Sequence, residues 1–293
     1  MAASSSPGTF DAPPVLRDSE FEKFRQLAHE HFGLDLGSGK QSLVAARLGK
    51  KLRELALHSF QDYFDYVKAD RSGAAMAGLV DNLTTNHTSF FREPRHFDFL
   101  TQTIVPELAD RSQIDIWSAA CSSGEEPYTI AMSLIDRAPS GVATRVKIKA
   151  TDISTRVLEK AKQGIYTSDQ LAGVPEPLLH RCMLKGSNSF ANSFRFKPEI
   201  RNMIEFAHIN LMDPFPSGYK CQVIFCRNVM IYFDKPTQQN LVQRLADQLE
   251  DGGYLLIGHS ESLNSGTHGL EHVAPATYRK PGQLRGGRGG RGR

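Results

Sequence analysis

The sequence has few cysteines and no long apolar run, and these two features limit the classes of protein to which it can belong. Its four cysteines, Cys121, Cys182, Cys221 and Cys226, form no Cys-x-x-Cys pair and have no histidine at metal-ligand spacing. We therefore expect reduced, mostly buried thiols and no bound metal. No apolar stretch reaches the ~20 residues of a membrane span, and the first residues lack the pattern of a signal peptide. These absences predict a cytoplasmic protein that is not a membrane protein.

Two phosphate-binding motifs are also missing. No Gly-x-Gly-x-x-Gly follows a predicted strand and no Walker lysine is present, so a pyrophosphate or triphosphate site is not indicated. The small positive net charge comes from the end of the sequence. Without the four arginines of Arg285–Arg293 the formal net charge of +3 becomes −1. Such an Arg-Gly tract either binds RNA or acidic membrane as a disordered arm, or is a solvated tail without a partner.

The residues that are present divide the chain into a helical part and an alternating part. Apolar residues spaced three and four apart between Asp18 and Leu83 predict a small helical bundle. Further along, short apolar runs alternate with helical patterns, which is typical of a mostly parallel, doubly wound α/β sheet. The predicted domains are a disordered tail (1–14), a helical domain (15–83), a linker (84–95), an α/β domain (96–281) with an inserted antiparallel β-subdomain (about 165–200), and an Arg-Gly tail (282–293).

The α/β domain has five predicted strands. They are Ile114–Trp117, Val146–Ala150, Met203–Ile209, Val223–Phe225 and Tyr254–Ile257. Ser154 is predicted to cap the helix that follows it, Pro236 to lie in the first turn after Asp234, and Gly252 with Gly253 to end the helix before the last strand.

Polar residues follow the predicted strands at places where open α/β sheets bind nucleotide-like ligands. Small residues from Ala119 to Gly124 allow a ligand to approach the backbone. Glu125 and Glu126 open the next helix, where they repel phosphate and suit a cation, or simply complement the helix dipole. Asp152 ends a strand and can accept hydrogen bonds from both hydroxyls of a ribose. A nucleoside with a cationic centre indicates S-adenosylmethionine.

Arg227 and Asn228 stand directly after the buried strand Val223–Phe225. Burying a guanidinium is costly unless an anion pairs with it. A substrate carboxylate is one candidate for that anion, and a structural partner is the alternative.

Four motifs of this chain resemble those of the chemotaxis receptor methyltransferases, the CheR family. They are Thr-Asn-x-Thr-x-Phe-Phe-Arg at Thr85–Arg92, Ser-x-Gly-Glu-Glu-Pro-Tyr at Ser122–Tyr128, Cys-Arg-Asn-Val-x-Ile-Tyr-Phe at Cys226–Phe233 and Gly-His-Ser-Glu at Gly258–Glu261. The resemblance runs in order from about Glu20 to Lys280. It implies a helical N-terminal domain, a linker that contributes to the cofactor site, and a Rossmann-like methyltransferase domain with an inserted β-subdomain.

The resemblance also implies a cofactor, a substrate and a set of site residues. The cofactor is S-adenosyl-L-methionine, which leaves as S-adenosyl-L-homocysteine, and the acceptor is a glutamate side chain on chemoreceptor cytoplasmic helices. Arg92 and Tyr232 are the implied catalytic residues, which position that glutamate. The implied cofactor contacts are Asn86, Thr88, Arg92 and Glu126 at the methionine end, Asp152 at the ribose, Asn210 and Leu211 at the adenine, and Arg227 and Asn228 completing the pocket.

Basic residues cluster on one predicted helix of the N-terminal domain: Arg47, Lys50, Lys51 and Arg53. A charge run of this kind is usually a solvated face. The resemblance favours docking instead, because the family uses this helix to contact an acidic receptor region. Some family members bind a receptor's C-terminal peptide at a glycine-rich loop of the β-subdomain. The corresponding Lys185–Phe194 loop contains Gly186 as its single glycine, and whether it binds such a peptide stays open.

Two other functions stay open at this point. One is a Rossmann methyltransferase that modifies RNA or another protein, which only the Arg-Gly tail favours; nucleic acid is otherwise not an expected partner. The other is a non-catalytic signalling module that binds S-adenosylmethionine. The presence of Arg92, Glu126, Asp152 and Tyr232 favours an active enzyme, which we expect to be a monomer.

Overall fold

A computed structural model describes residues 14–84, 87–263 and 268–282. The sequence-based expectations for residues 1–13, for Asn86 and for 283–293 lie outside the described residues. The chain divides into two compact units, one on each side of the boundary between residues 85 and 86. We call them the helical unit and the α/β unit and describe each by itself.

The helical unit has four α-helices in the described residues: α1 (Asp18–Phe32), α2 (Gln41–Glu54), α3 (Phe60–Ala69) and α4 (Ala74–Leu83). The periodic apolar side chains predicted from the sequence form its core, as Phe24, Leu48 and Leu79 are fully buried. Ser59 caps α3 by accepting a hydrogen bond from the Asp62 amide at 3.1 Å. The predicted all-helical character of this part of the chain is confirmed.

The α/β unit begins with α5 (Arg95–Phe99), a π-helical turn (Leu100–Ile104) and α6 (Val105–Glu107). The elements that follow are β1 (Ile114–Ala119), α7 (Glu125–Arg137), β2 (Val146–Asp152), α8 (Thr155–Gln163), β3 (Ile165–Thr167), α9 (Glu176–Cys182), β4 (Met183–Lys185), β5 (Ser193–Phe196), α10 (Pro198–Arg201), β6 (Ile204–His208), β7 (Cys221–Cys226), α11 (Lys235–Gln248), β8 (Leu249–Ile257), β9 (Glu271–Ala274) and β10 (Thr277–Arg279). None of the helices in the described ranges combines the length and the apolar character that a membrane span requires.

Seven of these strands form one sheet in the order β6-β2-β1-β7-β8-β10-β9. The first five are parallel, and β10 runs antiparallel to both β8 and β9. From β1 the chain first adds strands on one side and then returns to add β7 on the other. The order therefore reverses between β1 and β7, which is where open α/β sheets bind ligands.

A second, three-stranded antiparallel sheet has the order β3-β5-β4. It is inserted between α8 and β6, so the predicted antiparallel β-subdomain is present. Aromatic packing attaches it to the main domain: the Phe196 ring on β5 stacks on the Tyr128 ring of α7 with the ring centres 4.0 Å apart. Tyr166 on β3 packs edge-on against both rings.

The helix end predicted at Gly252 and Gly253 is wrong, and the β9–β10 hairpin was not predicted. Helix α11 ends at Gln248, and Gly252 and Gly253 lie inside β8. Gly252 has φ +81°, and a Cβ on Gly253 would stand 2.9 Å from the Glu250 carbonyl oxygen. The register of β7 against β8 shifts at the same place, so the glycines form a bulge rather than a helix cap. The β9–β10 hairpin is short and mostly polar, which leaves little periodicity to detect.

Candidate cofactor site

The site lies at the carboxyl ends of β1 and β7, where the strand order reverses. Ala119 at the end of β1 is in register with Cys226 at the end of β7. The loop after β1 contains three residues with positive φ, namely Ala120, Ser122 and Gly124. Such conformations are uncommon outside glycine and concentrate at functional sites. At Gly124 a side chain is excluded, since a Cβ would stand 2.7 Å from the Tyr166 hydroxyl oxygen.

Asp152 holds this loop from the neighbouring strand. Its Oδ2 accepts a hydrogen bond from the Ser122 amide at 2.8 Å, and its Oδ1 accepts one from the Ser154 amide at 2.9 Å. Ser154 in turn caps α8 through the Val157 amide, as predicted. Each carboxylate oxygen can accept more than one hydrogen bond. The buried Asp152 carboxylate can thus fix the loop and also receive ribose hydroxyls.

Arg227 is a buried cation that the chain itself neutralises. Its side chain is 2% exposed, and its two terminal nitrogens lie 2.9 Å from Glu126 Oε2 and 3.0 Å from Glu93 Oε2. The second nitrogen also donates to the Arg92 carbonyl. The anionic partners predicted for Arg227 are therefore the Glu93 and Glu126 carboxylates of the chain itself. A substrate carboxylate is not needed to balance this charge.

Glu93 joins three segments of the site, although sequence reasoning had given it no role. Its Oε1 accepts hydrogen bonds at 3.2 Å from the Asn228 side chain and from the His259 amide. Burial by itself raises the pKa of the Glu93 carboxyl, but the Arg227 charge and the hydrogen bonds outweigh it and lower that pKa. The sequence offered one signal for Glu93. It directly follows Arg92, the last residue of the first family motif, and Arg227 lies in another of the four motifs.

Glu126, one of the two glutamates that open α7, is already engaged within the chain. Its Oε1 accepts a hydrogen bond from the Ser118 hydroxyl at 2.7 Å, while its Oε2 faces Arg227. Because Ser118 belongs to β1 and Arg227 follows β7, this carboxylate connects both strands at the point of reversal.

The structure places the other predicted site residues around this core. Thr88, Arg92, Asn228 and Tyr232 are half-buried. The Arg92 side chain donates to the His87 carbonyl at 2.9 Å, and Tyr232 ends the 3₁₀ turn that follows Asn228. The Arg92 main chain is joined to Arg227, because the Arg92 carbonyl accepts a hydrogen bond from that guanidinium.

Asn210 and Leu211 follow β6, two strands from the reversal point. The Asn210 side-chain oxygen accepts a hydrogen bond from the Met212 amide at 3.0 Å. The Leu211 carbonyl accepts one from the Arg244 guanidinium at 2.8 Å, which fixes the loop on α11. Both residues thus lie at the strand ends of the same sheet edge as Asp152.

His96 is buried beside this cluster and carries an unusual protonation equilibrium. Its side chain is 2% exposed, and its Nδ1 lies 3.5 Å from Glu93 Oε2. Burial, followed by the Arg227 charge, lowers the pKa of His96 to about 4, while Glu93 opposes this shift. The imidazole is therefore neutral at pH 7.

His96 should make the stability of the α/β unit sensitive to acid. Between the ordinary histidine pKa of 6.5 and about 4, the unfolded chain binds a proton that the folded chain does not. Stability therefore falls as the pH drops through this window, by up to about 3 kcal/mol, and the effect is absent above pH 6.5. We expect His96→Phe to flatten the dependence of unfolding free energy on pH between 6.5 and 4.5.

The control for His96 is His180→Gln, since the His180 side chain is 80% exposed on α9. Denaturant unfolding at several pH values gives the unfolding free energy as a function of pH. The slope of this free energy against pH should be the same in His180→Gln as in the parent protein. An unchanged slope in His96→Phe would show that His96 does not titrate as described. The comparison uses slopes, so a uniform loss of stability from the larger ring does not affect it.

The predicted basic residues of α2 divide into two kinds. Arg47 is half-buried and donates to the Leu83 carbonyl at 2.6 Å, and Lys51 pairs with Glu54 at 3.1 Å. Lys50 and Arg53 are exposed. Arg47 thus connects α2 to the end of α4, while Lys50 and Arg53 present charge to solvent.

The fold and the site together define a class. A parallel sheet that reverses between β1 and β7 and ends in an antiparallel hairpin is a Rossmann-like methyltransferase fold, and the site fits its cofactor. Asp152 offers acceptors for ribose hydroxyls, and carboxylates at the reversal point suit a sulfonium rather than phosphate.

The chain belongs to the CheR methyltransferase family. Residues 86–279 match the family's SAM-binding domain, and residues 19–84 match its all-alpha domain. S-adenosylmethionine is therefore its cofactor.

Several relatives named chemotaxis protein methyltransferase are similar to this chain over most of their length. A chemotaxis protein methyltransferase of Borreliella burgdorferi is 41% identical over 270 residues, covering 89% of this chain and 94% of the relative. Chemotaxis protein methyltransferase 2 of Pseudomonas aeruginosa is 40% identical, with 88% and 92% covered. The chemotaxis protein methyltransferase of Escherichia coli K12 is 37% identical, with 85% and 86% covered. The resemblance noted in the four motifs is thus confirmed.

Proposed function

We propose that this protein transfers the methyl group of S-adenosylmethionine to glutamate side chains on the cytoplasmic helices of chemoreceptors. The products are a glutamate methyl ester and S-adenosylhomocysteine. Membership of the CheR family and relatives named chemotaxis protein methyltransferases support this proposal. The observation that carries it is the Arg227 network, in which the Arg227 guanidinium joins the Arg92 carbonyl to Glu126 in the first turn of α7, beside the reversal point.

The chemistry asks little of the protein beyond alignment. The acceptor glutamate is ionised at neutral pH, because its ordinary pKa is ~4.3, so no general base is required. When bound, the cofactor supplies a methyl group activated by its sulfonium. A bond forms between the carboxylate oxygen and the methyl carbon as the bond from sulfur to that carbon breaks, and no proton moves. The methyl ester is neutral, so each transfer removes one negative charge from the receptor.

In this proposal Arg92 and Tyr232 orient the acceptor. The Arg92 guanidinium can donate paired hydrogen bonds to a carboxylate, and the Tyr232 hydroxyl can direct one oxygen towards the methyl group. Too strong a pairing with Arg92 would stabilise the carboxylate and reduce its nucleophilicity. A single anchored oxygen with the other left to react is the productive arrangement.

The proposed cofactor contacts follow the geometry of the strand ends. Asp152 holds the ribose, while the segment after β6, with Asn210 and Leu211, borders the adenine. Thr88, Arg92 and Glu126 lie at the methionine end, and Asn228 completes the pocket; Asn86, also proposed there, lies outside the described residues. Arg227 contributes through the two carboxylates and the Arg92 carbonyl that it holds in place.

The activity is tested with labelled S-adenosylmethionine and receptor-rich membranes, followed by alkaline treatment that releases ester-bound methyl as methanol. Base-labile label mapped to receptor glutamates supports the proposal. Label recovered in RNA, and lost when residues 282–293 are removed, would favour an RNA methyltransferase instead. Cofactor binding without any transferred label would indicate a non-catalytic signalling module.

Arg92→Ala and Tyr232→Phe should each lower methyl transfer about ten- to a hundredfold, because both weaken alignment of the acceptor. The thermal stability should stay within a few degrees of the parent protein, since both side chains are half-buried. Initial rates with receptor membranes measure the effect. Normal turnover in both variants would contradict the roles given to them.

Receptor docking is proposed for the exposed basic residues of α2, with Arg47 and Lys51 contributing to the same face. Lys50→Glu with Arg53→Glu should raise the KM for receptor membranes about tenfold and weaken its salt dependence, because the exposed charges steer an acidic partner. Cofactor affinity should not change. Lys68→Glu with Arg71→Glu, both exposed and outside α2, is the charge-matched control, and an equal effect there would indicate net charge rather than a docking face.

A further inference from the structure

Glu261 lies just after β8, in the Gly258–Glu261 motif, and its carboxylate accepts four backbone hydrogen bonds. Oε2 accepts from the Asn228 amide at 3.0 Å and from the Gly258 amide at 2.6 Å. Oε1 accepts from the Met230 amide at 2.8 Å and from the Ile231 amide at 3.3 Å. Three of these four donors belong to the turn that carries Tyr232.

This turn is bent sharply and packs closely on Gly258. Asn228 has φ +58°, a left-handed conformation that non-glycine residues rarely adopt. A Cβ on Gly258 would stand 2.4 Å from the Asn228 side-chain nitrogen. The amides of Asn228, Met230 and Ile231 all point at one carboxylate, which satisfies donors that the bend removes from regular secondary structure. Glu261 therefore holds the turn at three of its backbone amides.

The neighbouring group of Glu93, His96 and His259 has ligand atoms within 4.8 Å of one another. We do not assign a cation to it, because both Glu93 oxygens already accept hydrogen bonds from Arg227, Asn228 and the His259 amide. The Arg227 guanidinium, 3.0 Å from Glu93, would also repel a metal ion. The cluster belongs to the network that supports the site.

We propose that Glu261 is a positioning residue for methyl transfer, whose carboxylate holds the turn after β7 so that the Tyr232 hydroxyl meets the acceptor carboxylate. This inference rests on the function proposed above. Glu261 need not touch substrate, since it acts through the backbone of Asn228, Met230 and Ile231. A glutamine at this position turns one oxygen into an NH₂ group that faces amide donors, and an aspartate is one methylene too short to reach all four.

The test combines Glu261 with the residue it positions. Glu261→Gln should lower kcat about ten- to a hundredfold, since a small misplacement of an orienting group is enough for a loss of this size. In a Tyr232→Phe background the same change should lower kcat less than threefold, because the hydroxyl that Glu261 positions is already gone. The exposed Glu271→Gln on β9 serves as the matched control and should leave kcat unchanged in both backgrounds.

Full additivity of Glu261→Gln and Tyr232→Phe would overturn the inference, because it would show that Glu261 acts on the fold rather than through Tyr232. If Glu261→Gln does not fold, Glu261→Asp keeps the charge and is measured in the same cycle, with the same two outcomes. Cofactor affinity is determined for every variant, so that a loss of binding is separated from a loss in kcat. Absence of glutamate esterification by the parent protein would instead refute the proposed function itself.

Discussion

Arg227→Met is expected to lower the unfolding free energy of the α/β unit by about 3–5 kcal/mol, the usual effect of leaving a buried charge without its partner. The variant would bury the Glu93 and Glu126 carboxylates with no cation between them. The Arg92 carbonyl would lose a donor as well. Because the same network joins the Arg92 segment to the ends of β1 and β7, methyl transfer should also be lost.

The sole tryptophan of the chain makes this measurement specific. Trp117 lies in β1 and is 1% exposed, so its fluorescence during urea unfolding reports on the α/β unit. Lys162→Met is the matched control, as it breaks the exposed pair with Glu159 and should cost less than about 1 kcal/mol. Glu93→Gln added to Arg227→Met should recover part of the loss. If Arg227→Met lowers the unfolding free energy by less than about 1 kcal/mol, the Glu93 and Glu126 carboxylates do not depend on Arg227 for their stabilisation.

Asp152→Ala is expected to weaken S-adenosylhomocysteine binding by about a hundredfold to ten-thousandfold. Hydrogen bonds to a charged acceptor contribute about 1.5–3 kcal/mol each, and the proposal assigns two of them to the ribose hydroxyls. The substitution also removes the acceptor of the Ser122 amide, so the loop after β1 loses its anchor. Asp152→Asn keeps one acceptor oxygen, so its affinity for S-adenosylhomocysteine should lie between those of Asp152→Ala and the parent protein.

Isothermal titration calorimetry with S-adenosylhomocysteine measures this effect. Ser154→Ala is the control, because it removes the cap of α8 and leaves the Asp152 carboxylate in place. It should cost about 1 kcal/mol of stability and leave the affinity within threefold. Parent-like affinity in Asp152→Ala would remove Asp152 from the ribose site and leave it the structural role that its contacts with Ser122 and Ser154 already show.

Local sequence patterns predicted the secondary structure of most of the chain. Four helices followed from apolar residues spaced three and four apart, and five strands followed from short buried runs, because each pattern reflects one residue and its near neighbours. Ser154 was found as a helix cap for the same reason. Gly252 and Gly253 were misassigned, since a glycine pair suits a helix end and a bulge equally well, and only the pairing of β7 with β8 distinguishes them.

By itself, then, the sequence determined the helical unit, the alternating α/β pattern and the polar segments at the strand ends, and its motifs identified the family. Only the tertiary structure decided which charges pair. Arg227 meets Glu126, in the first turn of α7 after β1, across 101 positions of the chain, and Glu261 meets Asn228 across 33. The first pair was invisible to local pattern because the sequence indicated merely that Arg227 needed an anion. Its choice of partner depends on the sheet order that brings β1 and β7 side by side, which is a property of the whole fold.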